Sequence, residues 1–144
     1  MSNNEDFMQD KEVKKIALRL LSIRSYSSAE LRKKLNPRGF SEEEVEWAIA
    51  ECTRLGFLND VEEAARRTER FKRKGYGPAL IAFKMKSSGL KEIRLSVEEQ
   101  KETIRALLKK EAWKKKDRIK KIAALQRRGF DMHCILAVIS HTHI

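Results

Sequence analysis

Apolar residues recur along this chain at helical intervals, and one arrangement of them comes three times. Leu31 and Leu35 precede Gly39-Phe40, with Val45 and Ile49 behind. Ile81 and Met85 precede Gly89-Leu90, with Leu95 behind. Ile122 and Leu125 precede Gly129-Phe130, with Ile135 and Ile139 behind. Apolar spacing of three or four marks one face of a helix, and the glycine that follows reads as a left-handed stop before the next helix. Such a repeat predicts a row of helical units, each burying its stripe on a neighbour.

The punctuation between the copies predicts where each helix starts and ends. Residues 1–10 are expected to form a disordered acidic leader, with a first helix from about Lys11 to Arg24. Ser27-x-x-Glu30 and Ser41-x-x-Glu44 are capping boxes that open the second and third helices, and Asn36-Pro37-Arg38-Gly39 closes the second. Asp60 is placed to cap a fourth helix whose inner face would carry Val61, Ala64, Ala65, Thr68 and Phe71. Gly75-Tyr76-Gly77 breaks that helix, and Pro78 suits the first turn of a fifth ending at Gly89. Over Lys91–Gln100, Ile93, Leu95 and Val97 nearly alternate, as in a strand, but the repeat predicts a short sixth helix there. A seventh would carry Ile104, Leu107, Leu108 and Ala112. Asp117 would cap the eighth, Arg118 to Arg128, and Asp131 the ninth, Met132 to Ser140. The expectation is an all-α chain of about nine helices in three tandem three-helix units, residues 11–59, 60–97 and 98–144.

Composition fits stacked helices. Charged residues make up 37% and aromatics 7%, so the core must come from Leu, Ile, Val and Ala. That is thin for a compact sphere and sufficient for hairpins that bury a stripe on each other. No run approaches the ~18 apolar residues of a membrane span, and no signal peptide opens the chain, so a cytoplasmic protein without membrane contact is expected. Cys52 and Cys134 fall on apolar helix faces and are expected as buried, reduced thiols.

The formal charge of +11 is unevenly spread. Residues 1–63 carry ten basic and thirteen acidic side chains, net −3; residues 64–108 carry twelve and five, net +7; residues 109–144 carry ten and three, again +7. A neutral-to-acidic head on a basic body suggests a polyanion, or a protein wrapped on one, as partner. Two clusters are candidate contacts. One is the stripe Arg66, Arg67, Arg70, Arg73 and Lys74 on the fourth helix; the other is Lys114, Lys115, Lys116, Arg118, Lys120, Lys121, Arg127 and Arg128, preceded by Lys109 and Lys110. Arginine forks pair with phosphates or carboxylates, whereas helix lysines are usually just solvated. Trp113 could stack on a base or pack inside. There is no phosphate loop, paired-cysteine zinc spacing or serine-nucleophile turn. His133, Cys134, His141 and His143 lie close in sequence at spacings that match no closed zinc site. No enzyme activity, cofactor, metal or small-molecule substrate is expected.

The order and spacing of these pieces resembles the RecX family of bacterial RecA regulators. The resemblance is carried by Ala17-Leu18-Arg19-Leu20-Leu21-x-x-Arg24-x-x-Ser27-x-x-Glu30-Leu31-x-x-Lys34-Leu35-x-x-x-Gly39-Phe40. It continues through Leu55-Gly56-Phe57-Leu58-Asn59-Asp60, Ala64-Ala65-Arg66, Lys74-Gly75-Tyr76-Gly77-Pro78 and Ile81, and ends with Leu125-x-Arg127-Arg128-Gly129-Phe130 and Ile135. It covers roughly residues 12–140 and departs at Met85, where leucine is usual, and across Lys91–Gln100. The resemblance implies tandem three-helix repeats in an elongated curved rod. It also implies binding in the groove of the RecA–DNA filament, by a monomer, with suppression of filament growth, strand exchange and coprotease function, and weak binding to DNA. It implies no catalytic residue.

Two other readings stay open at this point. One is a free-standing DNA- or RNA-binding helical protein, in which a turn such as Asn36–Gly39 opens a groove-reading helix. The acidic start of the third helix, Glu42-Glu43-Glu44, argues against phosphate contact there. The other is a helical scaffold for some acidic protein.

Overall fold

The structure, a computed structural model, describes the backbone of residues 4–141 and the side chains of residues 12–140. Regular structure among the described residues is helical throughout, without a strand. The helices are α1 (Asn4–Ile23), α2 (Ser28–Leu35), α3 (Glu42–Arg54), α4 (Asp60–Arg73), α5 (Pro78–Ser87), α6 (Val97–Leu108), α7 (Glu111–Lys114), α8 (Arg118–Arg127) and α9 (Met132–His141), with a 3-10 turn over Asn36–Arg38. Helix α1 starts at Asn4 and not at Lys11, so residues 4–10, expected as leader, are helical backbone.

The chain divides into two compact units, Met1–Glu63 with Ser88–Lys91, and Ala64–Ser87 with Glu92–Ile144. In the first, α1, α2 and α3 pack together over Val13, Ala17, Leu31, Leu35, Val45 and Cys52. Both predicted capping boxes form: Ser27 Oγ accepts from the Glu30 amide and Ser41 Oγ from the Glu44 amide, each at 3.1 Å, and each glutamate takes its serine's amide in return. The hydroxyl of the fully buried Ser27 also donates to the Ser88 carbonyl, which binds the Ser88–Lys91 segment to the start of α2. Asp60 does not cap α4. Asn59, one residue earlier, does so by accepting from the Glu62 amide at 3.1 Å, while Asp60 Oδ1 takes the Ser28 amide at 2.8 Å.

Helix α4 is turned relative to the expected inner face. Val61 and Ala65 are exposed, whereas Glu63, Ala64, Arg67 and Thr68 are buried. An apolar template puts valine and alanine inside; here polar side chains with partners take that side, and Glu63 accepts from Ser25 Oγ at 3.1 Å.

The second unit centres on α6, α8 and α9, with Ile104, Leu107, Trp113, Leu125, Ile135 and Val138 among its buried side chains. The helix expected over Lys91–Gln100 does not form as a separate element: residues 91–96 are not helical, and α6 begins at Val97. The cause is the residue after each glycine–apolar pair. Copies one and three continue with Ser41 and Asp131, side chains suited to start a helix, but copy two continues with Lys91. A helix must wait for Ser96, which forms a third capping box with Glu99: the Ser96 hydroxyl accepts the Glu99 amide at 3.1 Å, and Glu99 accepts the Ser96 amide at 2.7 Å. Leu95, six residues past the glycine, is still buried, so the apolar spacing survives without the helix. Ala112 lies in the separate, four-residue α7 and is exposed.

Asp117 caps α8 as predicted, accepting from the Lys120 amide at 2.9 Å. Asp131 occupies the start of α9, where its carbonyl accepts from the Cys134 and Ile135 amides at 3.0 Å. Its carboxylate and amide are also held by buried Gln100, through bonds of 2.9 and 3.1 Å. The repeat glycines Gly39, Gly89 and Gly129 all have left-handed backbone, with φ of +87°, +70° and +93°. At Gly129 the neighbours are as demanding as the backbone, because a Cβ there would run into the amide of Leu80. The Gly129 carbonyl takes the Ala79 amide at 3.0 Å, and the Arg128 carbonyl takes that of Gly77 at 2.7 Å, so the end of α8 is stitched to the start of α5. The threefold division of the sequence describes a repeat of helix pattern; the two compact units describe which helices touch.

Three outcomes follow for stability. Gly39→Ala meets nothing within 4 Å and should cost only the left-handed penalty of about 1–2 kcal/mol, while Gly129→Ala should cost clearly more. Chemical denaturation of both variants checks this, and equal losses would refute the role given to the Leu80 contact. Ser96→Ala should cost about 1 kcal/mol. The Ser96 amide, and after it Lys72, hold the Glu99 carboxyl below its ordinary range. A depressed folded pKa gives stability that is present above the unfolded value of about 4.3 and is lost as pH falls through the folded value. Glu99→Gln should therefore flatten the acid limb of the stability curve below about pH 4–5, read as thermal midpoint against pH.

Candidate partner-binding surface

The basic stripe of α4 lies within the second unit, and most of it faces solvent. Arg66, Arg70, Arg73 and Lys74 are exposed, as steps of three and four along a helix require. Arg67 is the exception: at 5% exposure it belongs to the buried side and is no surface contact. The Arg70 guanidinium sits 5.5 Å from the Phe71 ring. Lys84 of α5 lies 5.4 Å from the Tyr76 ring and 5.8 Å from that of Phe71, giving an aromatic pair flanked by cations. Lys72, which the sequence did not single out, bonds Glu69 at 3.2 Å and Glu99 at 3.3 Å, tying α4 to α6. Burial pulls its ammonium down, but the bonds to Glu69 and Glu99 outweigh that, and its pKa is raised.

The second cluster divides by role. Lys114, Lys115, Arg118, Lys120 and Arg127 are exposed and Lys116 half-exposed; Lys114 pairs with Glu111 at 3.4 Å. Lys121 is only 2% exposed, its stem running along the buried face of α8 with Ala124 and Leu125, so it leaves the list of contact candidates. Arg128 is half-buried and structural. Its Nη1 donates to the carbonyls of Lys74 at 3.0 Å and Gly75 at 3.3 Å, satisfying the open end of α4. Its guanidinium also lies 5.4 Å from the Trp113 ring, and Lys116 lies 5.9 Å from the same ring. Trp113 is buried in the core of the unit, not offered to a base. Arg128 thus brings the end of the arginine stripe to the end of α8, by a bond between residues 54 apart in the chain.

Both cysteines are buried free thiols. Burial pushes each pKa up, and for Cys134 the Asp131 carboxylate adds to that. Cys134 Sγ lies 3.5 Å from His133 Nε2, and with Asp131 these form a group of metal-ligand type within 4.8 Å. Burial favours the neutral thiol, a poor ligand, and Asp131 is already engaged by Gln100. The side chains of His141 and His143 lie outside the described residues. No described helix is long and apolar enough to cross a membrane.

Comparison with known proteins gives a consistent picture. Residues 14–52 match the family model described as RecX, first three-helix domain. The regulatory protein RecX of Legionella pneumophila (strain Corby) is 42% identical over 74 residues, 51% of this chain and 49% of that protein, so the match spans about half the relative's length. The regulatory protein RecX of Pseudomonas fluorescens (strain SBW25) is 30% identical over 140 residues, covering 89% of this chain and 90% of that protein. The crystal structure of RecX from Lactobacillus salivarius superposes with a TM-score of 0.76 at 20% identity, over 92% of this chain and 95% of that one, a likeness of fold. With nearly the whole length of a 30% identical relative matched by this chain of helices, the protein belongs to the RecX family.

Proposed function

We propose that this protein binds RecA–DNA filaments in the cytoplasm as a monomer and restrains their growth, strand exchange and coprotease function. What carries the proposal is the joined basic surface of the second unit: exposed Arg70, Arg73 and Lys74 continuing through Arg128 to the cations of α7 and α8. A surface of that sign speeds encounter with an acidic, DNA-loaded polymer and makes binding strongly salt-dependent. Contacts with several subunits at once would raise apparent affinity with no single strong bond. Relatives named regulatory protein RecX share the length of the fold.

The test compares affinity for a labelled single-stranded oligonucleotide, bare or coated with RecA and ATP. Preference for the coated form is expected; much tighter binding to bare DNA would instead favour a free-standing nucleic-acid binder. Arg70→Glu/Arg73→Glu should raise the concentration needed to inhibit strand exchange by roughly thirtyfold, at on the order of 1 kcal/mol for each lost contact, with helicity unchanged. Arg128→Ala should differ in kind. Losing its bonds to the Lys74 and Gly75 carbonyls should lower stability by about 2 kcal/mol, seen first in the thermal midpoint. An unchanged midpoint would remove its structural role.

A further inference from the structure

A pocket of about 260 Å³ opens in the second unit between the end of α4 and the second half of α6. Its floor is Ala106, Leu107 and the backbone of Gly75, which packs so closely on Leu107 that a Cβ at Gly75 would stand 2.7 Å from that side chain. Its rim carries Arg73 and Lys110, neither of which makes an ion pair among the described residues, and one acid, Glu102. Two of the wall side chains already have partners within the unit. Lys72 is held between Glu69 and Glu99, and the Thr103 hydroxyl donates to the Glu99 carbonyl at 3.0 Å. A preformed pocket spares a partner the cost of ordering it.

We infer that this pocket receives an apolar side chain with a carboxylate beside it on the protein component of the filament, and not its DNA; the inference rests on the function proposed above. The chemistry of the floor and rim decides between the two. An apolar side chain covers Ala106 and Leu107, and a carboxylate beside it meets Arg73 and Lys110. A nucleotide brings a phosphate on each side of its base, and Glu102 on the rim repels one of them. A peptide has no such obligation, because only one of its flanks need be acidic. The space suits one side chain and its neighbour, less than the ~300–1,000 Å³ of drug-sized ligand sites.

Ala106 is exposed on α6, so it can be enlarged from outside the core. Ala106→Trp would fill the pocket, and Ala106→Glu, a good helix former, would put a carboxylate where the partner's should go. Each is tested against the same oligonucleotide, bare and coated with RecA and ATP, with circular dichroism as the check on folding; if the tryptophan disturbs the fold, the glutamate variant decides. Affinity for the coated form should fall roughly tenfold or more while affinity for bare DNA changes far less. Unchanged affinity for the coated form would overturn the pocket alone, leaving the filament reading in place. Equal losses on bare and coated DNA would assign the pocket to nucleic acid and overturn it too. A wild-type protein with no preference for coated DNA would sink the filament reading, and the pocket's occupant with it.

Discussion

The first amides of a helix have no partner within it, and at the starts of α2, α3, α4, α6 and α8 a short polar side chain just ahead supplies one. Ser27, Asn59, Ser96 and Asp117 accept from the amide three residues on, as Ser41 does for α3. Where a glycine stop is followed by such a residue, as after Gly39 and Gly56, its place sets where the next helix resumes; α5 resumes after Gly75 on Pro78 instead. Where the cap comes at once, as after Gly39-Phe40, helices follow closely. Where it is delayed, from Lys91 to Ser96, the chain runs on as irregular backbone and α6 starts late. The same serine that starts α2 also holds a distant carbonyl, so local and long-range order share one hydroxyl.

Sequence pattern revealed much of this, and its failures have a common cause. Apolar spacing identified the buried faces of α2, α3, α8 and α9, and both cysteines fell where expected. It misplaced the inner face of α4, because Glu63 and Arg67 are inside while Val61 is out. A buried polar side chain is betrayed by its partner, and that partner lies elsewhere in the chain: Ser25 for Glu63, Asp131 for Gln100. Asn59 and Asp60 were both eligible to cap α4, and only the position of Ser28 separates their roles. The Ser96-x-x-Glu99 box obeys the rule that Ser27 and Ser41 obey, but it lies out of step with the period of the repeat.

The candidate surface was legible as charge and illegible as architecture. Spacing alone identified an arginine face on α4, but counted Arg67 in it. It placed Lys121 and Arg128 among the candidate contacts, although one lies along the core and the other closes the end of α4. These corrections narrow the basic surface without weakening it, since Arg70, Arg73, Lys74, Lys114, Lys115, Arg118, Lys120 and Arg127 remain exposed. An arginine whose donors are spent on backbone carbonyls still contributes its charge to the local field, so Arg128 serves packing and potential together.

The grip of Ser27 on Ser88 has a temporal side. The amino-terminal unit is interrupted: the chain leaves it after Glu63 and revisits it for Ser88–Lys91 before departing again. During synthesis, therefore, the opening helices emerge from the ribosome well before the short stretch that completes them. Until that stretch appears, the Ser27 hydroxyl lacks its Ser88 acceptor, and α2 is left with its capping box and the apolar stripe it shares with α1 and α3.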